Sequence, residues 1–139
     1  MVDDADDEVT TAQLSEEQWR ARLSREQYHV LREKGTERAF SGEYAHPEFD
    51  GSFRCAACGA VLFSSTDQFD SGSGWPSFTQ PVSASAVELS SDDSFGMRRV
   101  EVTCKVCGGH LGHLFQDGPN PTGQRWCINS VSLVLDEQS

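Results

Sequence analysis

The sequence predicts a mainly β domain, either two antiparallel sheets or a partly closed β-barrel, with short helices at its N-terminal end. Three observations predict it. From Phe53 onward the apolar runs are short, roughly four to eight residues, and clusters of Gly, Pro, Ser, Asp and Asn separate them. Ahead of them, a Ser-x-x-Gln pattern occurs twice, at the spacing that starts a helix. Within the β region, Cys-x-x-Cys-Gly also occurs twice, which adds a four-cysteine site to the expected fold. A chain of 139 residues with 37% hydrophobic content can bury one core but has no room for two.

Residues 1–13 open the chain as an acidic tip carrying Asp3, Asp4, Asp6, Asp7 and Glu8, a composition expected to be disordered. They lack the basic-then-apolar order of a secretory leader, so a cytoplasmic protein is expected. No stretch approaches the roughly 20 apolar residues that cross a bilayer, which argues against a membrane span. A net charge of -11 repels phosphate backbones and argues against nucleic-acid partners. That charge favours solubility, and it fits a high-salt protein and an ordinary acidic one equally well.

Two helices come next. Ser15 with Gln18, and Ser24 with Gln27, stand at N-cap and N3 of capping boxes, and Leu14/Trp19 and Leu23/Tyr28 form the matching hydrophobic staples. The second helix covers Arg25 to Lys34 and is expected to close on Gly35 in the left-handed conformation. Strands are then expected in the runs Gly59 to Phe63, Ala86 to Leu89, Met97 to Cys104, Leu111 to Phe115 and Trp126 to Leu135. Ser83 to Ser94, rich in Ser and Asp, is expected to be a loosely packed connection. No fixed-period repeat is present.

Cys55-Ala-Ala-Cys58-Gly59 and Cys104-Lys-Val-Cys107-Gly108 each bring two thiolates to one metal through a tight turn, with Gly supplying the positive φ that follows. Together they predict a tetrahedral structural zinc site. About 45 residues separate the pairs, so the metal would staple two hairpins across the domain. Two disulfides, a redox Cys-x-x-Cys, or iron on the same thiolates are the competing readings. Cys127 is left as the one thiol without a partner, either inert core filler or a nucleophile. On a continuous strand from Trp126 to Leu135 it would share an inward face with Val131, Leu133 and Leu135, and with the polar Arg125 and Asn129. A cation two residues before a thiol raises its thiolate fraction, and an amide two residues after can bond a bound oxygen.

His110 and His113 have no pattern of their own that requires catalysis, and a histidine on such a strand is usually structural; as ligands they would be surplus to a complete four-thiolate site, so their better functional use is proton donation near neutral pH. His29 and His46 read as surface residues. Ser71-Gly-Ser-Gly-Trp75-Pro-Ser-Phe78 is a Gly-rich loop leading to an indole held by the next proline, suited to walling a small ligand or merely to packing.

Taken together, Gly35-Thr-Glu37, Phe40-Ser-Gly-Glu-Tyr44, Gly74-Trp-Pro-Ser-Phe78, Gly96-Met97, Glu101-Val102, Gly109-His-Leu-Gly-His113, Asp117-Gly-Pro119, Pro121-Thr-Gly123 and Arg125-Trp-Cys-Ile-Asn-Ser130 resemble the methionine-R-sulfoxide reductases of the B type. The resemblance runs from about Leu14 to Leu135 and marks residues 14–136 as the reductase domain. It implies that Cys127 attacks the sulfoxide sulfur, that His113, His110 and Asn129 bind or protonate the leaving oxygen, and that Trp75 packs on the substrate methyl. Arg125 would support the thiolate and, with Phe115, join Trp75 as a substrate-binding residue.

The implied product is methionine with a sulfenic acid on Cys127. Many members of that family carry a resolving cysteine where this chain has Ser73, so regeneration is expected from thioredoxin or from glutathione with glutaredoxin. Oxidised proteins or free methionine-R-sulfoxide are the expected substrates, and a monomer is the expected form. A zinc-bearing binding module and a cysteine hydrolase using Cys127 are the competing functions.

Overall fold

The structure, a computed structural model, describes residues 15–47, 49–93 and 98–137. The acidic tip, Leu14 of the first staple and the Gly96-Met97 motif lie outside the described residues. Helices α1 (Glu16–Arg22) and α2 (Arg25–Glu33) both start as the sequence predicts. Ser15 and Ser24 each accept a bond from the N3 backbone, while Gln18 and Gln27 reach back to the cap N–H at 2.9 Å. The closure of α2 differs from expectation: Lys34, with φ 60°, takes the left-handed position. Gly35 instead donates its N–H to the His29 carbonyl and lies flat against the His29 ring, where a Cβ would collide.

Among the described residues the strands that follow are β1 (Gly51–Cys55), β2 (Val61–Ser64), β3 (Gln68–Phe69), β4 (Ser77–Phe78), β5 (Val87–Asp92), β6 (Arg99–Cys104), β7 (His110–Phe115), β8 (Arg125–Ile128) and β9 (Leu133–Glu137). They form two antiparallel sheets, ordered β2-β1-β9 and β3-β4-β8-β7-β6-β5, and the barrel alternative is not adopted. Phe53, Phe63 and Phe78 are fully buried among the strands, with Phe63 and Phe78 stacked at 4.4 Å and Phe53 edge-on to Phe78 at 5.4 Å. Burying rings in this offset and edge-on geometry adds attraction to the area they remove from water. Among the described residues, no helix is long and apolar enough to cross a membrane.

Two expectations about strands are corrected. Trp126 to Leu135 is not one strand. Its ladder ends at Ile128, a 3-10 turn occupies Ser130–Ser132, and β9 joins the other sheet. Cys127 therefore shares no inward face with Leu133. In β8 it is Trp126 and Ile128 that enter the core, while Arg125 and Cys127 point to the other side. Within Ser83 to Ser94 the expected loose connection gives way to a 3-10 turn at Ala84–Ala86 and to β5, paired residue for residue with β6 from Val87/Cys104 to Asp92/Arg99, while Ser94 lies outside the described residues. As an edge strand with four exposed residues in a row, β5 needs no apolar alternation to form.

Candidate active site

The two cysteine pairs occupy matching turns. Gly59 (φ 83°) and Gly108 (φ 75°) close them, each donating its N–H at 2.8 Å to the carbonyl of the first cysteine. Cys55 ends β1 in one sheet and Cys104 ends β6 in the other, so the cluster bridges the sheets. All four Sγ atoms lie within 4.8 Å of one another, with Cys55 to Cys107 at 3.7 Å and Cys58 to Cys104 at 3.5 Å. Four thiolates at about 2.3 Å from one zinc define a tetrahedron with edges of about 3.8 Å, so the residues fit that ion. The separations are too long for disulfides, whose sulfurs sit about 2 Å apart. Arg32 ties α2 to the second turn by donating to the Cys107 carbonyl at 3.0 Å, its guanidinium lying 4.9 Å from the Trp19 ring centre.

Away from this cluster, a cleft of about 300 Å3 collects six of the seven other predicted site residues: Cys127, His113, Asn129, Trp75, Arg125 and Phe115. The volume is at the lower end of small-ligand sites. A wider groove of about 880 Å3 along the helices contains none of them.

Strand register explains the assembly. Cys127 on β8 faces Ser77 on β4 and His113 on β7, and His113 in turn faces Glu101 on β6, so these side chains form one row across the sheet. His110 and His113 are three residues apart, which in a regular strand puts them on opposite faces. A bulge at Leu111 inserts one residue into β7 between the partners of Val102 and Thr103 and brings both imidazoles to the same side, ring centres 5.3 Å apart. His110 does not line the cleft; it is buried behind His113, and its Nδ1–H donates to Glu101 at 2.8 Å.

Burial lowers the pKa of His110 against the pull of Glu101 and favours the neutral ring. Burial also pushes Glu101 upward, but its contacts with His110 and Lys34 outweigh that and hold the carboxyl low. His113 Nε2 and the Asp92 carboxyl stand 2.7 Å apart in a hydrogen bond that fixes the ring's orientation.

Burial raises the Cys127 pKa, and the nearby Ser73 hydroxyl and Arg125 guanidinium only partly offset it. Arg125 is itself engaged by Asp117 through two bonds of 2.8 and 3.2 Å, and it lies 4.4 Å from the Phe115 ring centre. The balance favours the thiol over the thiolate at Cys127. Its alkylation by iodoacetamide, followed on the Cys127 peptide by mass spectrometry, should therefore show a midpoint above that of free cysteine. Arg125→Ala should move the midpoint further up, and a wild-type midpoint below free cysteine would contradict this electrostatic picture.

Ser73 stands at the mouth of the site with its hydroxyl 4.0 Å from the Cys127 sulfur, and a bond of 2.8 Å to Ser71 holds it. The Asn129 carboxamide is anchored: Oδ1 accepts from the Glu37 N–H and Nδ2 donates to the Leu111 carbonyl, both at 3.0 Å. Trp75 donates its indole N–H to the Glu37 carbonyl at 3.0 Å. His29 and His46 are exposed, as expected.

Sequence reasoning gave no role to Glu37, Glu101 or Asp92. Glu37 and Glu101 stand within motifs already singled out, whereas Asp92 lies in a stretch whose composition reads as loop.

The SelR domain family matches residues 23–137. A peptide methionine sulfoxide reductase MsrB of Methanosarcina mazei is 59% identical over 124 residues, 89% of each chain. One from Bradyrhizobium diazoefficiens is 62% identical over 122 residues, 88% of each chain. The mitochondrial methionine-R-sulfoxide reductase B3 of Mus musculus is 56% identical over 120 residues, 86% of this chain and 47% of the mouse protein. These relatives are named as reductases, neither as binding modules nor as hydrolases. With a family match over most of its length and this level of identity, the chain belongs to the SelR-domain family, that of the peptide methionine sulfoxide reductases MsrB.

Proposed function

We propose that residues 14–136 reduce the R epimer of methionine sulfoxide, free or within proteins, with Cys127 as nucleophile. One observation carries the reading: the single thiol outside the four-cysteine cluster lines a small cleft beside His113, with Trp75 and Asn129 on its walls. The Cys127 sulfur attacks the sulfoxide sulfur, and the S–O oxygen passes to Cys127 as that bond breaks. With the thiol proton counted, thiol plus sulfoxide gives sulfenic acid plus thioether, so the atoms balance.

His113, against which His110 packs, takes up the proton lost by the Cys127 thiol and passes it to the leaving oxygen. Asn129 spends one amide hydrogen on Leu111 and has a second for that oxygen. Trp75 packs on the S-methyl group, and the Phe115 and Arg125 pair bounds the same cleft. Two equivalents of an external thiol, from thioredoxin or from glutathione with glutaredoxin, return Cys127 to the thiol and release water and a disulfide. Cys55, Cys58, Cys104 and Cys107 hold a structural zinc, which supplies no chemistry to the cleft.

The test is dithiothreitol-dependent reduction of separated R and S epimers of a blocked methionine sulfoxide. Turnover of the R epimer alone supports the reading. Turnover of both epimers at equal rates, or of neither by the zinc-loaded protein, overturns it.

A further inference from the structure

Glu37 is 4% exposed, does not line the cleft, and makes four hydrogen bonds: two to the cleft residues Trp75 and Asn129 and two to the residues that follow Asn129. Its N–H donates to Asn129 Oδ1 at 3.0 Å, and its carbonyl accepts the Trp75 indole N–H at 3.0 Å. Its carboxylate accepts from the backbone of Ser130 at 2.9 Å and of Val131 at 3.0 Å. These last two donors open the 3-10 turn at which the chain leaves the sheet after Asn129, and they have no partner within so short a turn. One residue thus grips an indole on one wall, an amide on another, and the backbone immediately beyond the strand of Cys127.

The arrangement is unusual in its cost. A carboxyl buried at this depth is pushed up by desolvation, and two backbone N–H bonds offset only part of that. A glutamine could accept one of the two N–H groups but would turn an amide donor toward the other, whereas only a carboxylate accepts both.

We propose that Glu37 is a positioning residue for the reduction, holding Trp75 and Asn129 in fixed relation to Cys127 without touching substrate. The proposal rests on the site reading given above. Because remote misplacement of reacting groups by an ångström costs up to about a hundredfold, a loosened Glu37 should slow the chemical step while leaving the fold in place.

The experiment compares wild type with Glu37→Gln in the full zinc-loaded chain. Methionine released without reductant titrates functional Cys127, and the single-turnover rate constant is then read per titrated site. The expected result is a titration close to wild type with a rate constant lower by roughly tenfold or more.

In parallel, solvent exchange of the Trp75 indole proton should quicken in the variant, while that of Trp126, bonded to Gln124, stays as it was. A mere loss of stability would lower the titrated fraction and speed both exchanges together. An unchanged rate constant per site, or quickening of both indoles alike, overturns the proposal. Should Glu37→Gln fail to fold, Glu37→Asp, which keeps the charge and both acceptors, is read in the same way. Failure of the wild type itself to release methionine would overturn the site reading as well, which separates the two claims.

Discussion

Cys127→Ser will leave a folded protein that no longer reduces methionine-R-sulfoxide, with turnover down by roughly a thousandfold or more. A serine hydroxyl stays protonated at any working pH, has no base built to activate it, and forms no analogue of a sulfenic acid. The side chain is half-buried and its backbone is paired on both sides, so the substitution should cost no more than about 1 kcal/mol of stability. Assays should pair R-epimer turnover with the melting temperature and the zinc content. A variant that keeps its activity would remove Cys127 from the mechanism, and one that loses zinc as well would tie it to the metal cluster.

The larger effect on stability will come from the four-cysteine cluster. Structural zinc in a site of this kind binds with an apparent free energy of about 10 to 16 kcal/mol, comparable with the whole folding stability of an ordinary domain. Cys55 and Cys104 terminate strands of different sheets, and without an ion four sulfurs at these separations would have to stay protonated or repel one another. Metal removal under reducing conditions should therefore abolish the cooperative thermal transition, as should Cys104→Ser. Restoring zinc should recover it for the wild type alone. A metal-free protein that melts as before, with full activity, would show that the cluster is dispensable.

Much of the site was legible because its signals are local. The paired Cys-x-x-Cys-Gly turns and the two capping boxes each announce themselves within a few residues, and the turns and caps form as expected. What escaped depends on partners far along the chain. The step from β8 to β9 is stabilised by Glu37, more than 90 residues away, so the apolar residues of Trp126 to Leu135 read as continuous. Asp92 is hidden in a Ser- and Asp-rich stretch that forms a strand only because β6 pairs with it. The shared side of His110 and His113 follows from a bulge, which side-chain alternation cannot foretell. In α2 the left-handed position falls on Lys34, and Gly35 serves instead to let the His29 ring approach the backbone where a Cβ would collide, a contact that the helix-stop signal does not reveal.

The placement of Cys127 in the six-stranded sheet also bears on fluctuations. The short β3 and the exposed β5 form the two edges, whereas β8 is paired with β4 on one side and β7 on the other. Local opening in a folded protein begins where backbone bonds meet solvent and few apolar contacts must break. The edges should therefore exchange their amide hydrogens first, while the amides of β8 wait for opening that approaches global unfolding. Access to the thiol should accordingly run through the cleft and not through opening of the sheet, and its exposure to oxidants should follow the shape of the mouth around Ser73 and Trp75.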